Sequence, residues 1–281
     1  MAEAISNIAI MTKANNNEAE EAARRITRLV APRKPDIYAV HPLTIQDSRS
    51  VEAEDLRKLE LDIVFAIGGD GTTLRAFRYI PPETPLLSVN VGGNRGILSE
   101  TGITSLDETI NAILLGQYFH ERRIRIQAST RENTFPAALN DIMIIRVNLT
   151  RTPLLSIKLM GHVIVHRMDG LIISTPTGST GHSFSIGGPV LYERLDSLLL
   201  SPIAPMNRMP HLVLPPDEIE VKSTHDISLV LDGQEMFRIT ADEPLKISRH
   251  QYDAQFIRIK KRGMRQIVKL EIGRASCRER V

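Results

Sequence analysis

The chain has 281 residues, enough for one large or two ordinary domains, and its 42% hydrophobic content supplies a substantial core. Its 35 basic residues nearly balance 33 acidic ones, for a net charge of +2, which argues against a nucleic-acid-binding surface as the main function and leaves room only for a local basic cleft. Trp is absent and aromatics make up 4%, too few for base-stacking platforms, and the longest apolar runs are strand-sized, far short of a membrane span.

The N-terminus, Met1-Ala2-Glu3-Ala4, lacks the charged start and apolar stretch of a signal peptide. Strand and helix signals then alternate over residues 1–115. Residues 5–11 are apolar and β-branched. Residues 18–30 carry a helical stripe, Ala19, Ala22, Ala23, Ile26, Leu29 and Val30. Residues 36–40 and 62–67 read as strands, 74–79 as a helix and 86–90 as a strand before the turn Gly92-Gly93-Asn94-Arg95-Gly96. Thr104 or Ser105 caps a helix through Leu115, with Asp107 and Glu108 in its first turn. Such alternation predicts a Rossmann-like parallel sheet flanked by helices, with ligands at the carboxyl ends of its strands.

From residue 116 short strands dominate: 118–128, 137–147, 154–160, 162–167, 170–174, 227–231, 237–241, 245–248 and 256–259, with one helix signal at 180–186. Residues 116–254 therefore read as a β-sandwich-like domain, and the segment of about 255–272 is expected to return to the first domain. The last residues, 273–281, are polar and aperiodic and carry the only cysteine, Cys277; they read as a disordered or non-native tail. One cysteine permits neither an internal disulfide nor a cysteine-based zinc site, and a cytoplasmic enzyme is expected.

Two segments carry chemistry. Gly68-Gly69-Asp70-Gly71-Thr72 follows a buried-strand run. Its glycines let backbone N–H groups approach a phosphate, and the next helix adds its positive N-terminus. A carboxylate in that cradle would repel phosphate, so Asp70 makes sense as a general base or a metal anchor. Taken alone it also fits the N-cap of a tight strand–helix turn. Arg75, four residues after Gly71, can face the same place and offset charge. The second segment, Asp169-Gly170 followed by Ser174-Thr175-Pro176-Thr177-Gly178-Ser179-Thr180-Gly181-His182-Ser183, is a strand, a hydroxyl-rich turn and a helix start. It offers many hydrogen-bond groups to a purine and a ribose; by itself it is also a capped turn.

The first segment resembles the GGDGT signature shared by NAD kinases, by diacylglycerol and sphingosine lipid kinases and, more loosely, by phosphofructokinases. The second resembles the DG…STPTGSTAYS signature of NAD kinases, and Gly187-Gly188-Pro189 continues it. Asn140-Asp141 stands where that family carries its Asn-Glu pair; beside each other the amide and carboxylate suit a diol, though Asp141 is one methylene shorter than Glu. Asp232-Gly233-Gln234 matches a further element near the substrate and, alone, reads as a hairpin turn. Asn90 to Leu98 resembles the family's N-x-G…LGFL segment, with Ile97 where Phe is usual. The family's Ala-Tyr is Gly181-His182 here, a combination that resembles some archaeal members.

The resemblance implies transfer of the γ-phosphoryl of ATP, or of a polyphosphate phosphoryl, to the 2′-hydroxyl on the adenosine side of NAD. Asp70 would accept the proton. Gly68, Gly69, Gly71, Thr72 and Arg75 would hold the donor with Mg²⁺ or another divalent cation. Asn140, Asp141, Asp169 and the run Thr180, Gly181, His182, Ser183, Phe184 and Ser185 would hold NAD, with Gln234 beside them. Arg151 and Arg167 fall where the family contacts substrate and equally fit solvated surface charges. A homodimer or homotetramer is implied, with neither a nucleic-acid nor a membrane partner. The runner-up is a lipid kinase of the same superfamily, which would need a pocket for acyl chains; a non-catalytic NAD-binding regulator is the third reading, opposed by Asp70. A dehydrogenase is excluded because no G-x-G-x-x-G follows the first strand.

Overall fold

Strand β1 (Asn7–Thr12) feeds helix α1 (Asn17–Val30) through a cap that the composition invites: the Asn16 side chain accepts from the Ala19 N–H, and Glu18 and Glu20 sit in the positive first turn. The computed structural model describes residues 5–92, 96–261 and 263–265; the turn residues Gly93 to Arg95, residues 266–272 and the 273–281 tail with Cys277 lie outside the described residues. The apolar stripe of α1 is buried at Ala19, Ala22, Ala23, Ile26 and Val30.

Strands β2 (Asp36–Val40) and β3 (Arg49–Val51) follow, then β4 (Ile63–Gly68), helix α2 (Asp70–Tyr79), β5 (Pro85–Asn90), the short β6 (Thr101–Gly102), helix α3 (Leu106–Leu114) and β7 (Phe119–Arg123). Helix α2 starts four residues earlier than the apolar pattern predicts, so the glycine-rich turn is itself the first helical turn. The cap expected before α3 differs too. A 3₁₀ turn, Ile103–Ser105, precedes it, and Ser105 makes no side-chain capping bond.

The next segment runs through β8 (Ile126–Ser129), β9 (Asp141–Arg146), β10 (Leu154–Leu159), β11 (His162–Arg167), β12 (Gly170–Ser174), the one-turn helix α4 (His182–Ser185), β13 (Leu198–Ile203), β14 (Leu212–Leu214), β15 (Ile219–Ser223), β16 (Ile227–Leu231), β17 (Glu235–Ile239) and β18 (Leu245–Arg249). Strand β19 (Ala254–Arg258) ends the series. The chain divides into two units, Met1–Arg122 with Asp253–Val281, and Arg123–Tyr252.

The first unit holds a sheet of order β3-β2-β1-β4-β5-β19-β7, with β6 on β5. Its β1–β2, β1–β4, β2–β3, β4–β5, β5–β6 and β5–β19 pairs are parallel. The order 3-2-1-4-5 is doubly wound, and it reverses between β1 and β4, the place where such sheets bind ligands beyond their carboxyl ends. Ile8, Ile10, Ile26, Phe65, Leu87 and Ile110 form part of its core.

The second unit has two antiparallel sheets, β11-β10-β15-β18-β8 and β14-β13-β12-β9-β16-β17. Alternate positions such as Ile142 and Ile144, Leu155 and Ile157, and Leu171 and Ile173 share one buried cluster, as period-two strands in a sandwich require. Each such side chain contributes about 1.5–3 kcal/mol by leaving water.

The single strand read over 118–128 is two strands in two different sheets, β7 and β8, separated by Ile124 and Arg125. Arg123 turns inward to a buried ion pair with Glu193, and Arg125 donates to the Tyr252 carbonyl. The strand read over 137–147 begins only at Asp141, because Ala138 bridges to Ile126 in the other sheet. The helix read over 180–186 shrinks to α4: Gly187 has φ +91°, and a Cβ on Gly188 would sit 2.7 Å from the Ser183 carbonyl. No helix among the described residues is long and apolar enough to cross a membrane.

Candidate active site

In the first unit, Gly68 closes β4 and Gly69 is the N-cap of α2, which puts Asp70 at the first helical position. A Cβ on Gly68 would run into the Thr72 side chain, while one on Gly69 would meet nothing, so the first glycine is demanded by packing and the second leaves open space. The two carboxylate oxygens of Asp70 accept from the N–H groups of Ile97 and Leu98, each at 3.1 Å. Gly96 makes that approach possible, since a Cβ there would lie 2.5 Å from Asp70 Oδ1. Beneath it, the Thr73 hydroxyl bonds the Ser88 hydroxyl at 2.6 Å, which reaches Ser99. Gly68 pairs in register with Asn90, and Lys13 donates its N–H to Ile67. The carboxylate therefore stands at the carboxyl ends of the strands flanking the switch point. Gly71 is exposed, and Thr72 and Arg75 are half-buried.

In the second unit, residues 139–141, 174–181 and 232–234 meet. Asp141 opens β9 opposite Ser174 at the end of β12. The Asn140 carbonyl accepts from the Thr175 N–H and the Ser174 hydroxyl, and the Thr175 hydroxyl donates to the Leu139 carbonyl. Gly178 lies flat on Asn140, where any Cβ would strike its backbone. The Asp232 carboxylate ties this corner: it accepts from the N–H groups of Leu139, Asn140 and Asp141, at 3.2, 2.7 and 3.3 Å. Asp232 and Gly233 both have positive φ, which suits these residue types in a hairpin turn. The His182 ring lies near that turn, its Cε1 3.7 Å from where a Gly233 Cβ would be.

Asp141 is 3% exposed, and its Oδ1 is buried with no hydrogen-bond partner, as is the Thr177 hydroxyl. Burial pushes the Asp141 carboxyl up to about 7, and the nearby charge of Asp232 adds to the rise. Oδ2 faces Gly181, where a Cβ would lie 3.4 Å away. A buried, under-satisfied carboxyl beside a small-residue turn fits a ligand that brings hydroxyl donors.

Two family models match the chain: the ATP-NAD kinase N-terminal domain over residues 8–118 and the ATP-NAD kinase C-terminal domain over residues 139–259. The chain belongs to the NAD kinase family. An NAD kinase from Thermococcus sibiricus is 32% identical over 260 residues, covering 90% of this chain and 94% of the relative. One from Pyrococcus abyssi is 32% identical over 262 residues, covering 89% and 92%. The fold is shared with the crystal structure of an Archaeoglobus fulgidus NAD kinase in complex with ATP, at TM-score 0.78, 24% identity and 94% and 98% coverage of this chain and that one. It is shared also with yeast NADH kinase complexed with NADH, at TM-score 0.81, 18% identity and 96% and 88% coverage.

The residues expected to bind NAD separate into two groups. Asn140, Asp141, Thr180, Gly181, His182 and Gln234 gather at the Ser174 end of β12. Asp169 lies at the other end, about 15 Å away along the strand, in an ion pair with Arg146 at 3.1 Å. Arg167 there donates to the Thr152 carbonyl, and Arg151 is exposed. Within the 180–185 run, Ser183 is fully buried while Phe184 is 44% exposed. Sequence reasoning marked the Asn90–Leu98 and Asp232-Gly233-Gln234 segments but gave no role to Gly96, to the Ile97 and Leu98 amides or to the Asp232 carboxylate. The glycine and the Asp-Gly turn were visible signals; which amides converge on Asp70 has no side-chain signature.

Proposed function

We propose that the chain transfers the γ-phosphoryl of ATP, or a polyphosphate phosphoryl, to the 2′-hydroxyl of the adenosine ribose of NAD, giving NADP. The observation that carries this reading is the Asp70 carboxylate, held by two backbone N–H groups at the switch point of a doubly wound sheet in a chain of the NAD kinase family. As the ribose oxygen bonds to the γ-phosphorus, the bridging P–O bond to ADP breaks and the hydroxyl proton passes to Asp70. A base so placed supplies about 10²–10⁴-fold in rate; the remainder comes from positioning and electrostatics.

In this reading Gly69, Gly71, Thr72 and Arg75 face the donor phosphates, and Asp141, Asn140 and the 180–185 turn hold the NAD ribose and adenine, with His182 as a flat wall. Among the described residues no group of three or more His, Cys, Asp or Glu could hold a metal ion. In this reading the divalent cation enters with the donor, as Mg·ATP. A homodimer or homotetramer and a cytoplasmic location belong to the same reading, on family resemblance.

The test is an activity matrix: ATP, other nucleotides and polyphosphate as donors against NAD, NADH and diacylglycerol. NADP formation from NAD is expected, with no phosphorylated lipid. NAD binding without NADP from any donor would leave a binding protein rather than a kinase, and lipid phosphorylation would favour the runner-up.

A further inference from the structure

The loop that grips Asp70 is itself gripped from the C-terminal side. Leu98 donates its N–H to Asp70 Oδ1, and its carbonyl accepts from Arg258 Nη1 at 2.9 Å. The next carbonyl, Ser99, accepts from Arg265 Nη1 at 3.1 Å. Glu100 closes the cluster: its carboxylate takes Arg265 Nη2 at 2.5 Å, stands 3.6 Å from Arg258 Nη1, and accepts from the N–H groups of Ile259 and Lys260. Arg258 also reaches Glu121 through Nε at 2.9 Å and lies over the Phe256 ring at 4.4 Å. Arg258, Glu100, Glu121 and Arg265 are all under 8% exposed.

Buried ions carry a large desolvation cost, and an ion cluster is weak evidence for stability. Packing alone would be served as well by apolar side chains at these positions. What two guanidiniums do that apolar groups cannot is donate directionally to successive carbonyls. Here those carbonyls belong to the two residues that follow Ile97 in the same loop. Holding the Leu98 and Ser99 carbonyls anchors the C-terminal side of the loop, directly after the Leu98 N–H that bonds Asp70.

We propose that Arg258 and Arg265 are positioning residues for Asp70: they fix the 96–100 loop so that its two amides hold the carboxylate in its reactive orientation. The proposal rests on the assignment of Asp70 as the base. The C-terminal return of the chain then completes the active-site geometry without touching substrate.

The experiment is a double-mutant cycle between Arg265→Gln and Asp70→Asn in the full chain, with kcat, KM for NAD and thermal melting measured for each. Arg265 is the better handle, because Glu100 keeps Arg258 and two backbone N–H groups when it is lost. Arg258→Lys, which retains the charge and loses the fork, is the second variant should Arg265→Gln fail to fold. In the otherwise native chain, kcat is expected to fall about 10- to 100-fold, as for a misplacement of about 1 Å, with KM for NAD within about twofold. In the Asp70→Asn background the same change is expected to lower kcat no further. An unchanged kcat, or an equal fall in both backgrounds, overturns the proposal. Near-normal turnover by Asp70→Asn alone removes Asp70 from the reaction and the clamp with it, a failure read in the single variant rather than in the cycle.

Discussion

Two aspartates, one half-buried in the first unit and one buried in the second, meet opposite surroundings. Asp70 has a hydrogen bond from backbone at each oxygen. Asp141 has an unpartnered oxygen, little solvent and a second carboxylate close by, and its carboxyl is pushed up to about 7. Under the proposed function, the first is a preorganised group, oriented before substrate arrives, and the second is completed by the ligand that donates hydrogen bonds to it. Side-chain identity predicted neither behaviour; the supply of backbone N–H groups did. Asp232, whose charge adds to the burial-driven rise of the Asp141 carboxyl, itself collects three such groups.

The largest expected effect breaks the first half of this contrast. Asp70→Asn is expected to lower kcat by about 10²–10⁴-fold while NAD binding, followed by calorimetry, stays within a few-fold. Gly96→Ala attacks the same geometry from the other side: its Cβ would lie 2.5 Å from Asp70 Oδ1 and 2.9 Å from Ser99 Oγ, so the carboxylate or the loop must shift. We expect a fall in kcat of about 100-fold with a smaller change in melting temperature; wild-type kcat would show the approach to be dispensable.

Asp141→Asn sharpens the second half. The folded chain holds this proton to about pH 7, while a free carboxyl loses it near 3.8. The contribution of Asp141 to stability is therefore full in acid, falls as pH rises from about 4 to about 7, and is flat above, a swing of up to about 4 kcal/mol. Urea unfolding at pH 5 and pH 8 should show this slope in the wild type and not in the Asn variant. Ribose hydroxyls donating to the carboxylate favour its ionised form, so NAD affinity should rise through about pH 7. A pH-independent KM for NAD in both proteins would take Asp141 out of ribose recognition. The smallest effect is that of His182→Ala, which removes one exposed wall: a rise in KM for NAD of about two- to tenfold, with kcat unchanged.

Much of this architecture was legible in the sequence because it is written in local periodicity. Strands β2, β11, β12 and β16 were readable to the residue, and the α1 stripe named its buried face. Three strands of the second unit were not. Leu198–Ile203 contains Pro202, which argues against a strand interior, yet Pro202 lies beyond the Leu198–Leu200 stretch paired to β14. Leu212–Leu214 is too short to show alternation, whereas Ile219–Ser223 alternates at every step, a signal that sequence reading overlooked. The passage of the chain from one sheet to another within 118–128 and 137–147 is a tertiary event that an apolar run does not record. For the site, motif glycines marked both turns, but Asp169 shares a motif with Ser174 and is carried away from it by the length of β12. Proximity along a signature is not proximity in a strand.

The central claim concerns one oxygen atom. NAD lacking the 2′-hydroxyl on its adenosine ribose, offered with Mg·ATP at saturating concentration, tests it most directly, with the 3′-deoxy analogue as the paired control. The account predicts NAD-like phosphorylation of the 3′-deoxy compound, with one ADP released per phosphate transferred, and none of the 2′-deoxy compound. Phosphate on the 2′-deoxy analogue would contradict it.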